Sequence, residues 1–461
     1  MFGTSGIRGP VGEVIRTDLV LNVGRALASQ GAETVVVGRD PRPSGATFAD
    51  ALSAGVRECG GDVVRVGVAA TPTIARSVGW LDADAGVSIT GSHNPPSDNG
   101  LKLWTDGGQA FRGKDRHEVI RRINRRAFAR ADWDEYGTER TWDNATETHR
   151  RRIVGAVDRV DDLSAVVDVG SGCGGGTARA LSSLGCTVET LNARPDGRTP
   201  ARPSEPTAEH CATLCRTVAA TDADFGIAHD SDADRMIAVT DDGTFVPGDV
   251  LLALFASEFV ESGGRVCAPI NASRAVDDAV AAAGGEVVRT AVGDVSVAAR
   301  AIECDATFAG EPSGTWIWPA VAPCPDGLFA AAQLAALIDR RGPLSALIEE
   351  IEAYPIRRRT FAVDDELATM EAVRESVVAT HRSVDRTDGV RVDRDDGWFL
   401  IRASGTEPVI RVTAEATDDE RSRVLFGEAC EIVARAIRDR ETGGRAETTA
   451  LSAEGGSVNG I

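Results

Sequence analysis

The chain has 461 residues, of which 70 are acidic and 50 are basic, so its formal net charge is −20 at pH 7. This charge argues against nucleic acid as a partner, because polyanions are bound by basic surfaces. No apolar run approaches the ~20 residues needed to cross a bilayer, so the sequence predicts no membrane association. A chain of this length exceeds what one hydrophobic core supports and predicts three or four domains.

The cysteines and the N-terminal residues bear on the compartment. Nine cysteines are scattered along the chain without a CxxC pair. An odd number at irregular spacing predicts buried thiols rather than a zinc or disulfide site. The opening stretch MFGTSGIRGP has neither the basic start nor the apolar stretch of a secretory signal. We therefore expect a cytoplasmic protein, and no motif indicates a protein partner.

Lysine is almost absent, since Lys102 and Lys114 are the only lysines among the 50 basic residues. An acidic, lysine-poor composition favours adaptation to high salt, although high genomic GC content would also favour arginine. The high-salt hypothesis predicts that the purified protein needs added salt for stability and activity. Retention of Lys102 indicates a need for a compact ammonium that can release a proton, which arginine cannot do. Chance retention in a strand is the alternative.

The first 148 residues alternate short β-branched runs with helical patterns, which predicts an α/β domain. Strands are predicted at 34–38, 63–68 and 85–90. Helices are predicted over 44–59, 73–79 and, with many charges, 113–130.

The same alternation predicts two further α/β domains, at residues 149–243 and 244–354. Their strands are predicted at 165–170, 187–191, 224–230, 265–270, 286–290 and 306–310. Each of the three domains sends a short apolar strand into a polar loop, and these loops are TGSHNPP, HDSDADR and GEPSGTW. In open α/β sheets ligands bind beyond the carboxyl ends of the strands, so we expect the three loops to converge on one cleft.

Residues 355–440 have a different pattern, with the strands TFAV, GVRVD, WFLIRA and VIRVTAEA between two amphipathic helices, which predicts an α+β domain. Residues 441–461 lack apolar periodicity and are predicted to form a disordered tail. The predicted fold class is thus α/β, with three similar mixed α/β domains plus a C-terminal α+β domain around a central cleft.

The loop HDSDADR is the candidate metal site. Asp230, Asp232 and Asp234 alternate along it and offer the hard oxygen ligands that suit Mg²⁺. A calcium-binding EF-hand is excluded, because that loop needs glycine and glutamate where this chain has Arg235 and Asp241. A solvated acidic turn is the alternative, although carboxylates this close repel one another without a cation.

Three other loops differ in their chemistry. RASGTEP (402–408) combines an arginine, two hydroxyls and a glycine turn, with Arg411 close behind, and predicts a cradle for a phosphate dianion. GSGCGGGTA (170–178) lacks the lysine of a phosphate-binding P-loop and predicts a strand-to-helix turn. In GEPSGTW, Glu311 and Ser313 could hydrogen-bond sugar hydroxyls or belong to a plain turn.

Taken in order, TGSHNPP, DSDADR, GEPSGT and RASGTEP resemble the phosphoserine, Mg²⁺, sugar and phosphate loops of the α-D-phosphohexomutase family. FGTSGIRG (2–9) and DVGSGCGG also resemble family segments, and the resemblance extends from residue 2 to about 440. Three positions depart from the usual family residues. Ser231 stands where glycine is usual, Ser171 where asparagine is common, and Thr315 where many members have a histidine implicated in proton transfer.

The resemblance implies an enzyme that interconverts hexose 6-phosphate and hexose 1-phosphate through a phosphoserine, with a hexose 1,6-bisphosphate as intermediate and activator. Ser92 would carry the phosphoryl group and would bind Mg²⁺ together with the three aspartates. Arg8 and Lys102 would handle protons near the reacting hydroxyl, and His93 is a further catalytic candidate. The candidate substrate-binding residues are Arg235, Thr290, Gly293, Glu311, Ser313, Arg402, Ser404, Gly405, Thr406 and Arg411.

Two motifs favour different sugars. GEPSGTW resembles the loop of archaeal-type phosphoglucosamine mutases, whereas TGSHNP is more typical of enzymes that act on glucose and mannose phosphates. Glucosamine phosphate is the main hypothesis, and phosphomannomutase or phosphoglucomutase activity is the alternative. A metal-dependent sugar phosphatase and a non-catalytic sugar-phosphate sensor are alternatives from other classes. Dependence on a hexose 1,6-bisphosphate, with negligible phosphate release, would distinguish a mutase from a phosphatase.

Overall fold

The computed structural model describes Gly3, residues 6–404 and residues 408–453, with side chains described as far as Asp439. The chain divides into two compact units. Unit 1 contains the residues up to Arg289 together with Gly293–Glu352, and unit 2 contains Thr290–Val292 and the residues from Ala353 onward.

The N-terminal part of unit 1 is a mixed six-stranded sheet with the order β1-β5-β4-β2-β3-β6. Its strands are β1 (Ile7–Pro10), β2 (Thr34–Arg39), β3 (Asp62–Val68), β4 (Ala85–Ile89), β5 (Asp98–Thr105) and β6 (Glu139–Thr141). Its helices are α1 (Thr17–Ala28), α2 (Gly45–Glu58), α3 (Thr71–Trp80) and α4 (Gly113–Arg125). The valines at positions 35–37 in β2 are buried, as expected for a central strand with helices on both faces.

The rest of unit 1 contains two four-stranded sheets with the orders β10-β9-β7-β8 and β12-β11-β13-β14. The segment that forms the first of these sheets contains α5 (Ala145–Val154), β7 (Ser164–Asp168), α6 (Gly175–Leu184), β8 (Thr187–Leu191), α7 (Ala212–Thr221), β9 (Phe225–His229) and β10 (Met236–Val239). The segment that forms the other sheet contains α8 (Gly248–Phe259), β11 (Arg265–Pro269), α9 (Arg274–Ala282), β12 (Glu286–Thr290), α10 (Asp294–Glu303), β13 (Phe308–Glu311), β14 (Thr315–Ile317), α11 (Gly327–Arg341) and α12 (Leu344–Glu349).

The three sheets of unit 1 repeat one arrangement, which confirms the prediction of three similar mixed α/β domains. In each, a central strand pairs in parallel with one neighbour and antiparallel with the other: β4 lies between β2 and β5, β9 between β7 and β10, and β13 between β11 and β14. TGSHNPP, HDSDADR and GEPSGTW each follow the central strand and lead into its antiparallel partner. The three loops therefore occupy the same topological position, at the carboxyl end of a central strand.

An aromatic cluster fixes both strands that flank the GEPSGTW loop. Phe308 of β13 and Trp316 of β14 pack against Phe255 of α8, with ring centroids 5.1–6.5 Å apart. The indole Nε1 of Trp316 also donates to the carbonyl of Met236 at 2.7 Å. Since burying each large ring stabilises the fold by about 1.5–3 kcal/mol, both ends of the loop are firmly anchored.

Unit 2 is an antiparallel sheet with the order β15-β18-β17-β16 and two long helices, which confirms the predicted α+β arrangement. Its elements are β15 (Ile356–Ala362), α13 (Glu366–Thr380), β16 (Val390–Arg394), β17 (Gly397–Ala403), β18 (Val409–Ala416) and α14 (Asp419–Ala453). Apolar residues of alternate strand positions pack with α13 and α14 in one core. Helix α14 extends to Ala453, so residues 441–453 are helical where the sequence predicts a disordered tail. The prediction used the lack of apolar periodicity, which argues against packing, but a helix itself needs only local backbone hydrogen bonds. Residues 454–461 of that predicted tail lie outside the described residues.

Two further expectations concern membranes and thiols. Among the helices of the described residues, none is long and apolar enough to span a bilayer. All nine cysteines are free, four of them buried and five partly buried. The prediction of buried thiols is therefore correct for four cysteines, whereas the other five are partly exposed.

Candidate active site

Ser92 lies in the loop after β4 and is almost completely buried. Its φ of +49° is in the left-handed region, which is unusual for a residue other than glycine. Its Oγ donates a hydrogen bond to Oδ2 of Asp230 at 2.8 Å, across 138 residues of sequence. The TGSHNPP and HDSDADR loops therefore meet at this serine.

The three aspartates of the HDSDADR loop form one buried cluster. Each offers a carboxylate oxygen, and these oxygens lie within 4.8 Å of one another. Oδ1 of Asp232 is buried and makes no hydrogen bond. Closely spaced carboxylate oxygens, one of them without a partner, fit a hard divalent cation such as Mg²⁺.

The electrostatics of the cluster also favour a cation. Burial raises the pKa of Asp230 well above its ordinary value, and the neighbouring carboxylates of Asp232 and Asp234 raise it further. Burial acts in the same direction on Asp232, but the ammonium of Lys102 outweighs it and holds the pKa of Asp232 below its usual range. The cluster therefore contains more negative charge than Lys102 alone offsets.

Lys102 lies on β5 opposite Ser88 of β4 and is buried. Its Nζ donates to Oδ2 of Asp232 at 2.7 Å and to Oδ2 of Asp234. Burial disfavours the charged ammonium, but the two carboxylates outweigh that effect and raise the pKa of Lys102. These carboxylates are 130 and 132 residues away in the sequence, so they could not be identified from the segment around Lys102.

His93 follows Ser92 directly, and Arg8 pairs with the strand that follows the same loop. Arg8 pairs with Gly100 across β1 and β5, and its buried Nε makes no hydrogen bond. Nδ1 of His93 is 3.4 Å from Oγ of Ser92. The nearby cation of Arg235, followed by burial, lowers the pKa of His93 to about 2. The imidazole beside the serine is therefore neutral near pH 7.

The GEPSGTW loop adjoins the end of the HDSDADR loop. Arg235 forms an isolated antiparallel bridge with Thr315, and its side chain lies 3.6 Å from Oε1 of Glu205. Glu311 is buried and accepts a hydrogen bond from the backbone N–H of Gly293 at 2.8 Å. Oγ of Ser313 lies 3.3 Å from the hydroxyl of Thr315. The structure thus brings these sugar-loop candidates close to the Asp230–Asp234 segment.

The predicted phosphate cradle lies in unit 2. Arg402 of β17 and Arg411 of β18 are directly opposite each other, and Nε of Arg402 donates to Asp388 at 3.0 Å. Directly opposed residues of an antiparallel pair lie on the same face of the sheet, so the two guanidinium groups share a face. Ser404 follows at the end of β17 and is buried.

The remaining substrate-binding candidates are Gly405, Thr406 and Thr290. Gly405 and Thr406 lie outside the described residues. Thr290 belongs to unit 2 and is buried, with its hydroxyl 2.8 Å from the carbonyl of Ala291.

Comparison with known proteins agrees with this geometry. Four models described as phosphoglucomutase/phosphomannomutase match in order: alpha/beta/alpha domain I at residues 1–130, domain II at 147–243, domain III at 247–354 and the C-terminal domain at 360–431. A probable phosphoglucosamine mutase of Methanopyrus kandleri is 45% identical over 446 residues, which cover 95% of this chain and 98% of the relative. The chain belongs to the phosphoglucomutase/phosphomannomutase family. It is therefore an enzyme of the isomerase class, a phosphohexose mutase.

Solved structures share the fold of this family member. A phosphoglucomutase/phosphomannomutase family protein from Burkholderia thailandensis superposes with a TM-score of 0.84 at 30% identity, covering 94% of this chain and 97% of the other. The N-acetylphosphoglucosamine mutase of Aspergillus fumigatus, in complex with GlcNAc-6P and magnesium, has a TM-score of 0.60 at 14% identity, covering 95% and 96%.

The residues that hold the Ser92 loop of this family member lie outside the sequence motifs. Arg42 is almost fully buried and forms an ion pair with Asp40, with 3.0 Å between Nε and Oδ2. Its two terminal nitrogens donate to four backbone carbonyls of the loop, those of residues 92, 94, 95 and 98. Asp40 in turn accepts from the hydroxyl of Thr90 at 2.8 Å.

Thr71 lies outside the motifs as well, and it bonds Asp232 through both its N–H and its hydroxyl, at 2.8 and 2.7 Å. One signal in the sequence was available, because the tripeptide Arg-Pro-Ser occurs at 42–44 and again at 202–204. Each copy places an arginine beside one of the two loops that meet at Ser92.

We expect Arg42→Leu to destabilise the protein by about 3–5 kcal/mol, because it leaves the buried Asp40 carboxylate without its cation. Adding Asp40→Asn should recover much of that loss in denaturant-induced unfolding, since the double variant buries no unpaired charge. The double variant should remain deficient in turnover, because the loop carbonyls still lack their donors. Full activity in a stable double variant would contradict the assigned role of Arg42.

Proposed function

We propose that this protein interconverts glucosamine 6-phosphate and glucosamine 1-phosphate, with Ser92 as the carrier of the phosphoryl group. The observation that carries the proposal is the 2.8 Å hydrogen bond between Oγ of Ser92 and Asp230, which brings a buried nucleophile to the three-aspartate cluster. The relative from Methanopyrus kandleri supports glucosamine phosphate as the substrate.

In the proposed cycle, phosphorylated Ser92 donates its phosphoryl group to the free hydroxyl of the substrate. The product of this half is a hexose 1,6-bisphosphate, and the serine is left as a hydroxyl. After the sugar reverses its orientation, Oγ of Ser92 takes the phosphoryl group from the oxygen on the other phosphorylated carbon. The bond to one sugar oxygen breaks as the bond to Ser92 forms, so the enzyme ends the cycle phosphorylated.

Asp230, Asp232 and Asp234 are the proposed Mg²⁺ ligands, with Ser92 completing the set. When bound, the ion would supply positive charge that neutralises the oxygens of the transferring phosphoryl group. The unpartnered Oδ1 of Asp232 and the close spacing of the carboxylates support this assignment.

The cations around Ser92 are proposed to assist the transfer. Lys102 and Arg8 would contribute positive charge beside the reacting hydroxyl, and Arg235 would lie close to the phosphoserine. The raised pKa of Lys102, caused by two facing carboxylates that outweigh its burial, supports a fixed cation there. We propose His93 as a neutral neighbour that orients the serine hydroxyl, because its Nδ1 is 3.4 Å away.

The remaining candidates are proposed to hold the sugar phosphate. Glu311 and Ser313 would accept and donate hydrogen bonds to sugar hydroxyls, with Gly293 and Thr290 near the same ligand. The phosphate that does not react would be bound by Arg402, Ser404, Gly405, Thr406 and Arg411. Burial of Ser92 supports a cycle that keeps water from the phosphoserine.

We also propose four domains, with boundaries at residues 1–148, 149–243, 244–354 and 355–440. Nine free cysteines support a reducing, cytoplasmic compartment for this chain.

We expect the highest kcat/KM with glucosamine 6-phosphate when the protein is assayed with Mg²⁺ and a catalytic amount of hexose 1,6-bisphosphate. Glucose 1-phosphate and mannose 1-phosphate should be measured in parallel under the same conditions. The sugar loop sets this preference, because hydrogen bonds to a substrate group discriminate strongly against analogues that lack it.

Release of free phosphate should be followed in the same reactions. A higher kcat/KM with glucose or mannose phosphate would reassign the substrate within the family. Phosphate release at the rate of substrate loss would instead identify a phosphatase.

A further inference from the structure

Ser204 lies between the two loops that meet at Ser92, although it belongs to neither. Its side chain is buried. Its Oγ donates to the backbone carbonyl of Ser92 at 2.8 Å and lies 2.7 Å from Oγ of Ser231. It also accepts a hydrogen bond from the backbone N–H of Ser231 at 2.9 Å.

The direction of each hydrogen bond follows from the number of protons. A serine hydroxyl has one proton and two lone pairs. The carbonyl of Ser92 can only accept, so the proton of Ser204 is directed to it. Oγ of Ser204 must therefore accept from both the N–H and the hydroxyl of Ser231. All three positions on Ser204 are then occupied, and the hydroxyl connects the HDSDADR loop to the peptide of Ser92.

The segment that carries Ser204 is itself held firmly. Arg202 is buried and forms an ion pair with Asp168, with 2.7 Å between Nε and Oδ2. It also donates to the carbonyls of His229 and Ser204, at 2.7 and 3.2 Å. The hydroxyl of Ser204 is thus placed by the same arginine that holds the strand end leading into the aspartate loop.

Ser92 needs such support because its φ is +49°. A residue in this region persists only where the surrounding contacts over-determine it. Two donors meet its carbonyl, Nη2 of Arg42 at 2.9 Å and the hydroxyl of Ser204 at 2.8 Å. Ser44, in the other Arg-Pro-Ser tripeptide, instead accepts from Asn99 at 2.9 Å. The tripeptide serine that bonds Ser92 is therefore the one of the second copy, Ser204.

We infer that Ser204, together with Ser231, is a positioning pair that sets the Ser92 nucleophile relative to the aspartate cluster. This inference rests on the proposed function, because it concerns the transfer step at Ser92. The pair acts through the Ser92 peptide, because the hydrogen bonds of the Ser204 hydroxyl run to the carbonyl of Ser92 and to Ser231. Its loss should therefore lower kcat and leave the KM for the hexose phosphate unchanged.

The test compares Ser204→Ala, Ser204→Thr and Ser231→Ala with the unmodified protein. We expect Ser204→Ala to lower kcat roughly five- to thirtyfold, which corresponds to a loss of about one to two kcal/mol. The KM should stay within about a factor of two of the parent value, a change smaller than the loss of one hydrogen bond would cause. Ser204→Thr retains the hydroxyl and should recover most of the loss. Ser231→Ala removes one of the two bonds to Ser204 and should have a smaller effect in the same direction.

Hydrogen exchange supplies a measurement that does not depend on activity. In Ser204→Ala, exchange should accelerate in peptides covering residues 90–98 and 230–235 and stay unchanged elsewhere. The matched control is Ser77→Ala, which also removes a buried hydroxyl, one that donates to the carbonyl of Thr73. This control should leave both peptides and kcat as in the parent.

The outcomes separate the two proposals. An inactive parent whose Ser92 peptide still loosens in Ser204→Ala would overturn the proposed function and keep the positioning pair. An active parent with unchanged kcat and unchanged exchange in Ser204→Ala would overturn the positioning pair and keep the proposed function. A rise in KM without loss of kcat would also overturn it, because Ser204 would then act on sugar binding.

Discussion

Ser92→Ala is expected to abolish both mutase turnover and the incorporation of phosphate from a hexose 1,6-bisphosphate. The substitution removes the atom that we propose to carry the phosphoryl group. The fold should persist, because the carbonyl of Ser92 keeps its bonds to Arg42 and Ser204. Phosphopeptide mass spectrometry after incubation with the bisphosphate, together with a coupled turnover assay, measures both effects.

Ser97→Ala is the matched control for this variant. Ser97 lies in the same loop and is exposed, with its hydroxyl 3.2 Å from Oδ1 of Asp98. The Ser97→Ala variant should be phosphorylated at Ser92 and should turn over substrate as the parent does. Normal turnover in Ser92→Ala would refute the phosphoserine assignment.

Asp230→Asn should lower turnover by roughly a hundredfold or more, equivalent to about 3 kcal/mol of lost charge stabilisation in the transition state. The change keeps the shape of the side chain and removes one of three negative charges from the proposed metal site. The parent should unfold at a higher temperature when Mg²⁺ is added, because a ligand that binds only the folded state stabilises it. That Mg²⁺-dependent shift should be lost or strongly reduced in Asp230→Asn.

Stability without Mg²⁺ provides an internal check on the same variant. Its unfolding temperature in metal-free buffer should equal or exceed that of the parent, because fewer like charges are buried together. Asp222→Asn is the control, since Asp222 is exposed after α7 and its left-handed conformation suits asparagine. A full Mg²⁺ response and normal turnover in Asp230→Asn would show that the cluster does not bind the metal that catalysis needs.

Much of the fold could be predicted because its pattern is local. The valines of β2 and the helical periodicity of α2 are read within one segment, and the structure has both elements there. The antiparallel strands β5, β10 and β14 were not predicted. Each strand follows a polar loop, so its place in the sheet depends on the return of the chain beside the central strand rather than on its own composition.

The composition of the site was similarly readable, but its electrostatics were not. The three aspartates indicate metal binding by their residue types and spacing, and the resemblance of TGSHNPP to a family motif implies phosphoryl transfer at Ser92. Lys102 was a candidate because of its residue type, whereas the two carboxylates that face it, those of Asp232 and Asp234, became apparent only in the fold. The charge state of a buried group depends on neighbours that are more than a hundred residues away in the sequence.

The sequence by itself determined which side chains are available for chemistry, because each loop holds its reactive residues within a few consecutive positions. Only the tertiary structure decided which backbone groups those loops present to one another. Arg42 and Ser204 are distant from Ser92 in sequence, and both donate to its carbonyl. Hydrogen bonds act over about 3 Å, so such partners become apparent only when the sheets have brought the strand ends together.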